Sequence, residues 1–381
     1  MTDSGPSTPF AAERAGPTAL PGPQRLKYFS VISYQMSDPS LNSSKLSALT
    51  EAYLPSDLVG RKEQLAEMHR LIAPLARHRP TKHLWLHGPP GTGKTCAAKM
   101  LLNEFEQRYG VRGVYVNCWE ADTFHAVLDR ATQDLRILGA ERLSAVFKME
   151  RLEKGLHGRP LLMVLDEFDK PTPRERDSII YNLCNLPQVV LICITNSRYF
   201  YHTLDSRARS RLDAVLVEFQ PYGAEGIEAI LRHRAELALG SVELDDDAAK
   251  RIASLANGDC RVALQTLRQA AVAAEAAGAR RIQSNHIRTG HTLALEAKNR
   301  YLLAKLREHH RLICKIIEER AEITSGDLRE EYLRRCRRAR MSPVAPRTFS
   351  LYLKRLEEMH LIATRRVLGI RGNIRTFRFS P

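Results

Sequence analysis

The eight residues from Gly88 to Thr95 constrain this chain more than any other part of its sequence. Their order, Gly-Pro-Pro-Gly-Thr-Gly-Lys-Thr, fills every fixed position of the phosphate-binding pattern G-x-x-x-x-G-K-[ST]. An apolar run at residues 82–87 predicts a buried strand directly before this loop, and residues 95–109 predict a helix directly after it. Because glycines let backbone N–H groups curl around a polyphosphate at the positive end of a helix, the pattern predicts a nucleoside triphosphate site.

The residues of this loop have separate expected roles. Lys94 is placed to reach the β- and γ-phosphates, and the hydroxyl of Thr95 is placed to hold a Mg²⁺ ion. The residues of this segment expected to contact ATP or ADP are Gly88, Pro89, Pro90, Gly91, Thr92, Gly93, Lys94, Thr95 and Cys96. A chance turn rich in glycine and proline is the alternative, and the flanking strand and helix argue against it.

A second run of residues predicts hydrolysis of the bound nucleotide. Residues 160–165 are continuously apolar, as expected of a parallel strand buried on both faces, and Asp166-Glu167-Phe168-Asp169 follow them. Because α/β sheets bind ligands at the carboxyl ends of their strands, we expect Asp166 to join the Mg²⁺ shell and Glu167 to orient the attacking water. A strand followed by an acidic helix cap is the alternative, which the phosphate-binding loop makes the weaker hypothesis.

The size and charge of the chain restrict its architecture and its partners. At 381 residues it is too long for one hydrophobic core, and no stretch reaches the ~18 consecutive apolar residues of a membrane span. Seven scattered cysteines without C-x-x-C spacing favour free thiols in a reducing cytoplasm. The net charge is +15, and residues 301–381 contain 19 Lys and Arg against 9 Asp and Glu. This concentration of positive charge indicates a nucleic-acid partner.

The order of apolar patterns predicts an α/β P-loop ATPase followed by two further domains. Residues 1–50 are rich in Pro, Ser, Gly and Thr and are predicted to be a mostly disordered arm. Strands and helices alternate over residues 51–221, which predicts a parallel five-stranded sheet with helices on both faces. The expected strands are 82–87, 113–118, 160–166, 188–195 and 214–219, and the expected helices are 61–77, 95–109, 122–137, 141–155, 174–184 and 199–212.

Residues 222–298 have a helical pattern only and are predicted to form a lid domain. Two apolar stripes at helical spacing support this prediction, the first formed by Ile227, Ile230 and Leu231 and the second by Ala248, Ile252 and Leu255. The run Asp245-Asp246-Asp247 suits a helix N-terminus, where carboxylates meet the positive end of the helix dipole. A metal cluster at these aspartates is the weaker alternative, since no further ligand is close in sequence.

Residues 299–381 are predicted to form a winged helix-turn-helix domain. Helices at 306–319, 325–338 and 346–359 are followed by β-rich segments at 361–368 and 375–379, which is the element order of that fold. Thr324-Ser-Gly-Asp327 is a capping box for the second helix, and Pro346 occupies the expected first position of the third.

The third helix of this domain is expected to enter a major groove of duplex DNA. Its apolar face carries Phe349, Leu353 and Leu356, and another face carries Arg347, Ser350 and Lys354. The hairpin adds the arginines Arg365, Arg366, Arg371, Arg375 and Arg378. Arg371, at the tip, is expected to reach a minor groove or a phosphate. Winged helices also serve as protein-binding modules, and it is the arginines that favour DNA here.

With these motifs in this order, the chain resembles the origin-recognition and helicase-loader family of AAA+ replication initiators, especially its archaeal members, from about Tyr53 to the C-terminus. The resemblance implies that the segment Leu54-Pro-Ser-Asp-Leu-Val59-Gly60-Arg61 forms the entry to an adenine pocket. It also implies that Asn196 reads the γ-phosphate through water. The family further carries an initiator-specific DNA-contacting helix, which we place in residues 138–155.

The resemblance assigns arginines to the lid and to the subunit boundary. Tyr222 and Arg234 are similar to a pair that contacts the nucleotide from the lid, and Arg261 is similar to the sensor 2 arginine that approaches the γ-phosphate. Residues 204–211 resemble the segment that bears an arginine finger. Arg211 is the expected finger for a neighbouring subunit's ATP, with Arg207 and Arg209 as alternatives.

The function that the resemblance implies is ATP-dependent initiation of DNA replication. The expected cofactors are ATP or ADP with Mg²⁺, and the expected partners are double-stranded origin DNA, the replicative helicase, and further copies or paralogues on DNA. Hydrolysis is expected to be slow and to act as a switch, and the expected location is cytoplasmic, at the nucleoid. Two alternatives stay open: an ATP-regulated DNA-binding regulator that loads no helicase, and a clamp-loader-like ATPase whose basic tail contacts protein.

Overall fold

The computed structural model describes residues 46–379, except 141–142, 187, 241, 307, 360 and 367–374. Along these residues a parallel sheet, a helical lid and a winged-helix domain follow one another. The predicted fold class is therefore confirmed.

The strands of the ATPase domain run parallel, so their carboxyl ends lie on the same side of the sheet. Within the described residues it consists of five parallel strands in the order β2-β3-β4-β1-β5. These strands are β1 (Leu84–His87), β2 (Arg112–Asn117), β3 (Leu161–Asp166), β4 (Val189–Thr195) and β5 (Val215–Glu218). Strands β3 and β4 are buried along their whole length, as expected of central strands that are apolar throughout.

Helices pack against this sheet and enclose two apolar clusters. The helices are α1 (Lys62–Ile72), α2 (Lys94–Tyr109), α3 (Phe124–Asp134), α4 (Ala145–Leu156), α5 (Pro173–Leu183), α6 (Tyr199–His202) and α7 (Ser206–Leu212). Successive residues of β1 belong to different clusters: Trp85 packs with Phe168, whereas Leu84 and Leu86 pack with Phe105. The alternation shows that both faces of the sheet are covered.

The single helix predicted over residues 199–212 is wrong. The chain forms α6 and α7 instead, separated by residues 203–205. The Asp205 side chain accepts a hydrogen bond from the backbone N–H of Arg207 at 2.9 Å and so begins a new helix. This break presents Arg207 and Arg211 on a short surface helix.

The lid is built from α8 (Ala224–Ala238), α9 (Asp246–Ala256), α10 (Cys260–Ala276) and α11 (Ser284–Lys305). Asp245 caps α9, accepting from the N–H of Ala248 at 2.8 Å, as the acidic run predicted. The prediction that Leu255 lies on the buried stripe of α9 is wrong, since it is 41% exposed. The buried face of this helix is centred on Ile252 and Ala256, and Leu255 lies at its edge.

Residues 46–49, placed in the predicted disordered arm, are a folded part of the lid. They include a 3₁₀ turn (Ser47–Leu49), and Leu46, Ala48 and Leu49 are buried in the apolar cluster of the lid. The Arg234 guanidinium donates to the carbonyl of Ala48 at 2.9 Å and fixes this turn to α8. Leu46 and Leu49 pack against apolar residues of the lid, and the composition of residues 1–50 does not predict this contact. Residues 1–45 lie outside the described residues.

Helix α11 runs from the lid into the C-terminal domain. The boundary predicted near residue 298 falls inside this helix, and α12 (Glu308–Arg320) begins shortly after α11 ends. No helix among the described residues is both long enough and apolar enough to cross a lipid bilayer.

The C-terminal domain has the element order of a winged helix. After α12 come β6 (Ile323–Thr324), α13 (Ser325–Arg338), α14 (Pro346–Glu358), β7 (Ile362–Arg366) and β8 (Arg375–Phe379). In its described part the strands form an antiparallel sheet in the order β6-β8-β7. Thr324 caps α13 by accepting from the N–H of Asp327, as predicted. The predicted hairpin tip, including Arg371, lies outside the described residues.

Candidate functional site

A cavity of about 380 Å³ lies between the carboxyl edge of the sheet and the lid. The phosphate-binding loop forms its floor, the ends of β3 and β4 form one wall, and α8 and α10 of the lid close the other side. The predicted site residues that line it are Val59, Pro90, Gly91, Thr92, Gly93, Lys94, Thr95, Cys96, Asp166, Glu167, Asn196, Tyr222, Arg234 and Arg261. Ligands bind at this edge in open α/β sheets, and the cavity has the size of a small-molecule site.

The lysine of the loop is buried at the phosphate end of the cavity. The Lys94 ammonium donates to the carbonyls of Gly88 and Pro89, at 2.6 and 2.7 Å. Burial lowers the pKa of Lys94 to about 8, and the positive charge of Arg261 acts in the same direction. The carboxylates of Asp166, Glu167 and Asp169 oppose this shift and keep the side chain a cation at neutral pH.

A hydroxyl and a carboxylate meet beside this lysine. Thr95 Oγ1 donates to Asp166 Oδ2 at 2.8 Å, and the Tyr115 hydroxyl donates to the same oxygen at 2.7 Å. Burial and the charge of Asp166 raise the pKa of Tyr115 well above its ordinary value, so its phenol stays a hydrogen-bond donor. Thr95 and Asp166 supply the hard oxygen ligands that Mg²⁺ prefers, and this donor set fits the ion.

The residue predicted to orient water has an unusual backbone conformation. Glu167 has φ of +53°, which side-chain-bearing residues rarely adopt, and its carboxylate accepts from the Asn196 amide at 3.4 Å. Backbone strain of this kind concentrates at functional sites. Lys170 lies 3.6 Å from the same carboxylate. Glu167 and Asn196 are therefore brought together at the end of β3 and β4, facing the loop.

Three residues predicted to bind nucleotide are absent from the described lining of this cavity: Arg61, Gly88 and Pro89. Arg61 is buried behind the loop, donates to the carbonyls of Thr92 (3.1 Å) and Gln220, and lies 4.1 Å from the centroid of the Tyr222 ring. It therefore braces the loop from outside the cavity. Gly88 and Pro89 line a neighbouring cavity and hold Lys94 through their carbonyls.

Several residues that line the cavity were not predicted from the sequence. Tyr301, near the end of α11, lines the cavity, and Glu51 lies 3.6 Å from Arg261, measured between Oε2 and Nε. Tyr53 also lines it, and the Arg234 guanidinium lies 4.2 Å from the centroid of its ring. These residues come from segments far apart in sequence and carry no motif, so only the packing of the lid reveals them.

Arg211 lies outside the described lining of this cavity. It is exposed on α7, next to Tyr181 of α5, with its guanidinium 4.2 Å from the centroid of that ring. Arg207 is also exposed on this helix, whereas Arg209 is half-buried. The position suits contact with another molecule better than contact with the chain's own nucleotide.

The predicted DNA-binding face of α14 is exposed. Arg347, Ser350 and Lys354 are exposed together with Leu351, while Phe349 and Leu356 are buried in the core of the domain. Ser350 donates its hydroxyl hydrogen to the carbonyl of Pro346 at 3.1 Å.

The arginines of the hairpin belong to two faces of the small sheet. Arg365 and Arg375 are exposed, and Arg375 pairs in register with Arg366. Arg365 and Arg378 lie on the face opposite the buried Phe377, because Ala363 pairs with Arg378 and Thr364 with Phe377. Arg378 forms an ion pair with Glu322. The hairpin thus presents charge on more than one side.

Apolar side chains are exposed near the start of α4. Leu138, Val146 and Phe147 are 87%, 68% and 56% exposed. The helix itself is anchored by Lys148, which is buried and pairs with Asp129 of α3. This surface lies within residues 138–155, where the initiator-specific helix was predicted.

The fold and the cavity define an AAA+ P-loop ATPase that carries a winged-helix domain. Comparison with family models agrees, since residues 57–194 match the AAA ATPase domain, residues 228–292 the Cdc6 AAA+ ATPase-type lid domain, and residues 303–380 the C-terminal winged-helix domain of CDC6. The chain belongs to the Orc1/Cdc6 family, and the predicted resemblance is confirmed.

Individual relatives span nearly the whole chain. The ORC1-type DNA replication protein 1 of Sulfurisphaera tokodaii is 28% identical over 332 residues, covering 82% of this chain and 83% of its own. The ORC1-type DNA replication protein 2 of Thermoplasma acidophilum is 28% identical over 366 residues, covering 88% of both chains. The structure of the Aeropyrum pernix ORC1 protein in complex with DNA matches with a TM-score of 0.73 and 27% identity, covering 88% of this chain and 93% of that one.

Proposed function

We propose that this chain is an ATP-dependent DNA replication initiator, which binds origin duplex DNA and uses its nucleotide as a switch. The observation that carries the proposal is that a single chain combines three features. These are a cavity at the phosphate-binding loop, a Cdc6-type lid that closes one side of it, and a basic winged-helix domain that follows the lid in sequence. Its relatives are ORC1-type replication proteins, and the Aeropyrum pernix relative was solved in complex with DNA.

The cavity supports binding and slow hydrolysis of ATP. Lys94 and Arg261 would hold the β- and γ-phosphates, and Val59, Tyr222 and Arg234, which also line the cavity, would contact the rest of the nucleotide. Thr95 and Asp166 would hold Mg²⁺, which neutralises charge on the phosphates when bound with ATP. Glu167 and Asn196 would orient the attacking water, and ADP would be the product.

Fast hydrolysis in this proposal requires a second subunit. Arg211 lies outside the described lining of its own cavity, and an arginine supplied by a neighbour stabilises the charge of a phosphoryl-transfer transition state. A homo-oligomer, or an assembly with paralogues on DNA, would supply it. The isolated chain would then hydrolyse ATP slowly, which suits a switch.

Three surfaces support contact with duplex DNA. The exposed face of α14 carries Arg347, Ser350 and Lys354, and a helix of this kind enters a major groove. The hairpin, with Arg365, Arg366, Arg371 and Arg375 in its sequence, would follow the backbone or an adjacent minor groove. The exposed Phe147 and Val146 suit apolar insertion between base steps.

Recruitment of the replicative helicase is the proposed consequence of origin binding. It rests on the family resemblance, and the proposed location is the cytoplasm, at the nucleoid. Occupancy mapping across its own chromosome tests the proposal, and enrichment at a replication origin, together with recovery of the helicase, is the expected result. Enrichment at promoters without the helicase would favour a regulator instead. DNA affinity that is unchanged after deletion of residues 301–381 would favour a clamp-loader-like ATPase.

A further inference from the structure

Asp259 lies where the phosphate-binding loop, the first turn of α10 and helix α11 meet. Its Oδ1 accepts from the N–H groups of Arg261 at 3.0 Å and Val262 at 3.4 Å, which caps α10. Its Oδ2 accepts from the Lys298 ammonium at 2.9 Å. One carboxylate therefore joins the helix that carries the lid arginine to the helix that leads into the winged-helix domain.

The same residue is in contact with the phosphate-binding loop. Gly91 has φ of +76°, and a Cβ at this position would collide with the Asp259 carboxylate. The N–H of Cys260 donates to the carbonyl of Gly91 at 3.3 Å. The phosphate-binding loop and the first turn of α10 are thus in direct contact, through this backbone hydrogen bond and through the Asp259 side chain.

Helix α11 packs closely against α10 and extends from the lid to the winged-helix domain. A Cβ at Gly290 would collide with backbone atoms of Thr266 and Ala270, so the two helices approach more closely than side chains allow. Tyr301 follows Lys298 by one turn and lines the nucleotide cavity. Helix α11 then continues to Lys305, and α12 of the winged-helix domain begins at Glu308.

We propose that the Asp259–Lys298 ion pair couples the nucleotide site to the winged-helix domain, with Lys298 as a positioning residue. Phosphate bound to the loop attracts Arg261 and shifts the first turn of α10, and Asp259 transfers that shift to α11 through Lys298. The Asp259 side chain is 15% exposed and the Lys298 side chain is 42% exposed, so the carboxylate is largely shielded from water while the ammonium is in contact with it. The inference rests on the proposed function, since it requires one chain that binds both ATP and DNA.

The experiment measures DNA affinity by fluorescence anisotropy, with the full chain and a labelled duplex, in the presence and absence of a slowly hydrolysed ATP analogue. For the unaltered protein we expect the two affinities to differ by roughly 5- to 150-fold, the usual range of coupling between sites. Lys298→Ala should reduce this ratio to within about twofold, because the link between α10 and α11 is lost. Since coupling is reciprocal, the effect of DNA on analogue affinity should fall by the same factor.

Three further variants separate coupling from damage to the fold. Asp259→Asn keeps a good helix cap but removes the charge, so it should lose the coupling as Lys298→Ala does, and the double variant should lose no more. Lys298→Arg should retain the coupling. Arg300→Ala, which removes an exposed positive charge two residues away on the same helix, should leave the ratio unchanged.

Each failure has a distinct signature. A ratio that survives in both Lys298→Ala and Asp259→Asn overturns the inference, as does an unaltered protein that binds DNA equally with and without the analogue. Both of these results leave ATP and DNA binding in place. An unaltered protein that binds neither ligand overturns the proposed function itself.

Discussion

The guanidinium of Arg211 lies against the ring of Tyr181, with its central carbon 4.2 Å from the ring centroid and a nitrogen 3.4 Å from the tyrosine hydroxyl. Both side chains are exposed, Arg211 on α7 and Tyr181 on α5. A cation held over an aromatic face keeps fewer rotamers than one in free solution. The arginine is therefore held on the surface in a preferred orientation, and the role proposed for it is contact with the nucleotide of a neighbouring subunit.

Arg211→Ala is expected to leave ATP affinity unchanged and to lower ATP turnover at least tenfold under conditions where subunits assemble on DNA, since arginine fingers contribute about 10³-fold or more to turnover. Steady-state phosphate release at increasing protein concentration measures the effect. Arg207→Ala is the matched control on the same helix. Equal losses for both variants, or a loss for Arg207→Ala alone, would reassign the finger.

ATP affinity is expected to depend on pH through Lys94. Because the pKa of this side chain is lowered to about 8, its ammonium is charged below pH 8 and loses its proton as the pH rises above that value. The affinity should be constant from about pH 6.5 to 7.5 and should then fall, by up to tenfold per pH unit, since only the charged form pairs with phosphate. Isothermal titration across this range checks the prediction.

Lys94→Ala supplies the control for that titration. Loss of charge-assisted hydrogen bonds to phosphate should cost about 3 kcal/mol or more, roughly 100-fold in affinity, and should flatten the pH profile above 8. A variant that keeps wild-type affinity, or keeps the decline above pH 8, would contradict the role given to Lys94.

Glu167→Gln is expected to retain ATP and stop its turnover. The amide keeps the size of the side chain and the contact with Asn196 but cannot accept the proton of the attacking water, a loss of about 10²- to 10⁴-fold. Nucleotide affinity and single-turnover hydrolysis are measured in parallel. Continued hydrolysis at the wild-type rate would move the water-activating role to another residue.

Arg347→Ala is expected to weaken binding to duplex DNA by about 1–3 kcal/mol. The guanidinium is exposed on α14, and the proposed function has it contact base edges or phosphates. If it contacts phosphate only, the salt dependence of the affinity should also fall by about one ion. Binding isotherms at several salt concentrations distinguish the two. Arg320→Ala, which alters an arginine 3.9 Å from Glu331 on another helix, is the control.

Phe147→Ala is expected to weaken DNA binding by about 1–3 kcal/mol without loss of thermal stability. The ring is exposed, so its removal leaves no cavity, and aromatic contacts with bases have this magnitude. Leu237→Ala, which removes another exposed apolar side chain, in the lid, is the comparison variant. Unchanged affinity for Phe147→Ala would place α4 outside the interface.

The elements that sequence reasoning predicted well are those with a strong local pattern. Strand β3 is apolar throughout because both of its faces are buried, and the loop from Gly88 to Thr95 fills every fixed position of a phosphate-binding pattern. Thr324 and Asp245 cap their helices through contacts within three residues. Such features depend on neighbours in sequence, and the pattern contains them completely.

The features that sequence reasoning missed depend on contacts between distant segments. Lys298 and Asp259 are 39 residues apart, and Glu51 meets Arg261 across an even longer separation. Arg61 has the sequence position of a nucleotide contact, but packing against Tyr222 turns it to the back of the loop. A periodic pattern also gave the orientation of α9 only approximately, which is why Leu255 was wrongly placed in the core.

The turn formed by residues 46–49 sets a limit on how far this protein can be shortened. A truncated chain that begins at Tyr53 would expose the apolar surface of the lid against which Leu46 and Leu49 pack. It would also lack the carbonyl of Ala48, to which Arg234 donates. Such a fragment should self-associate through the bared surface and hold the base end of ATP weakly. The aggregation and the weak nucleotide binding would both result from loss of residues 46–49, although every residue of the phosphate-binding loop would still be present.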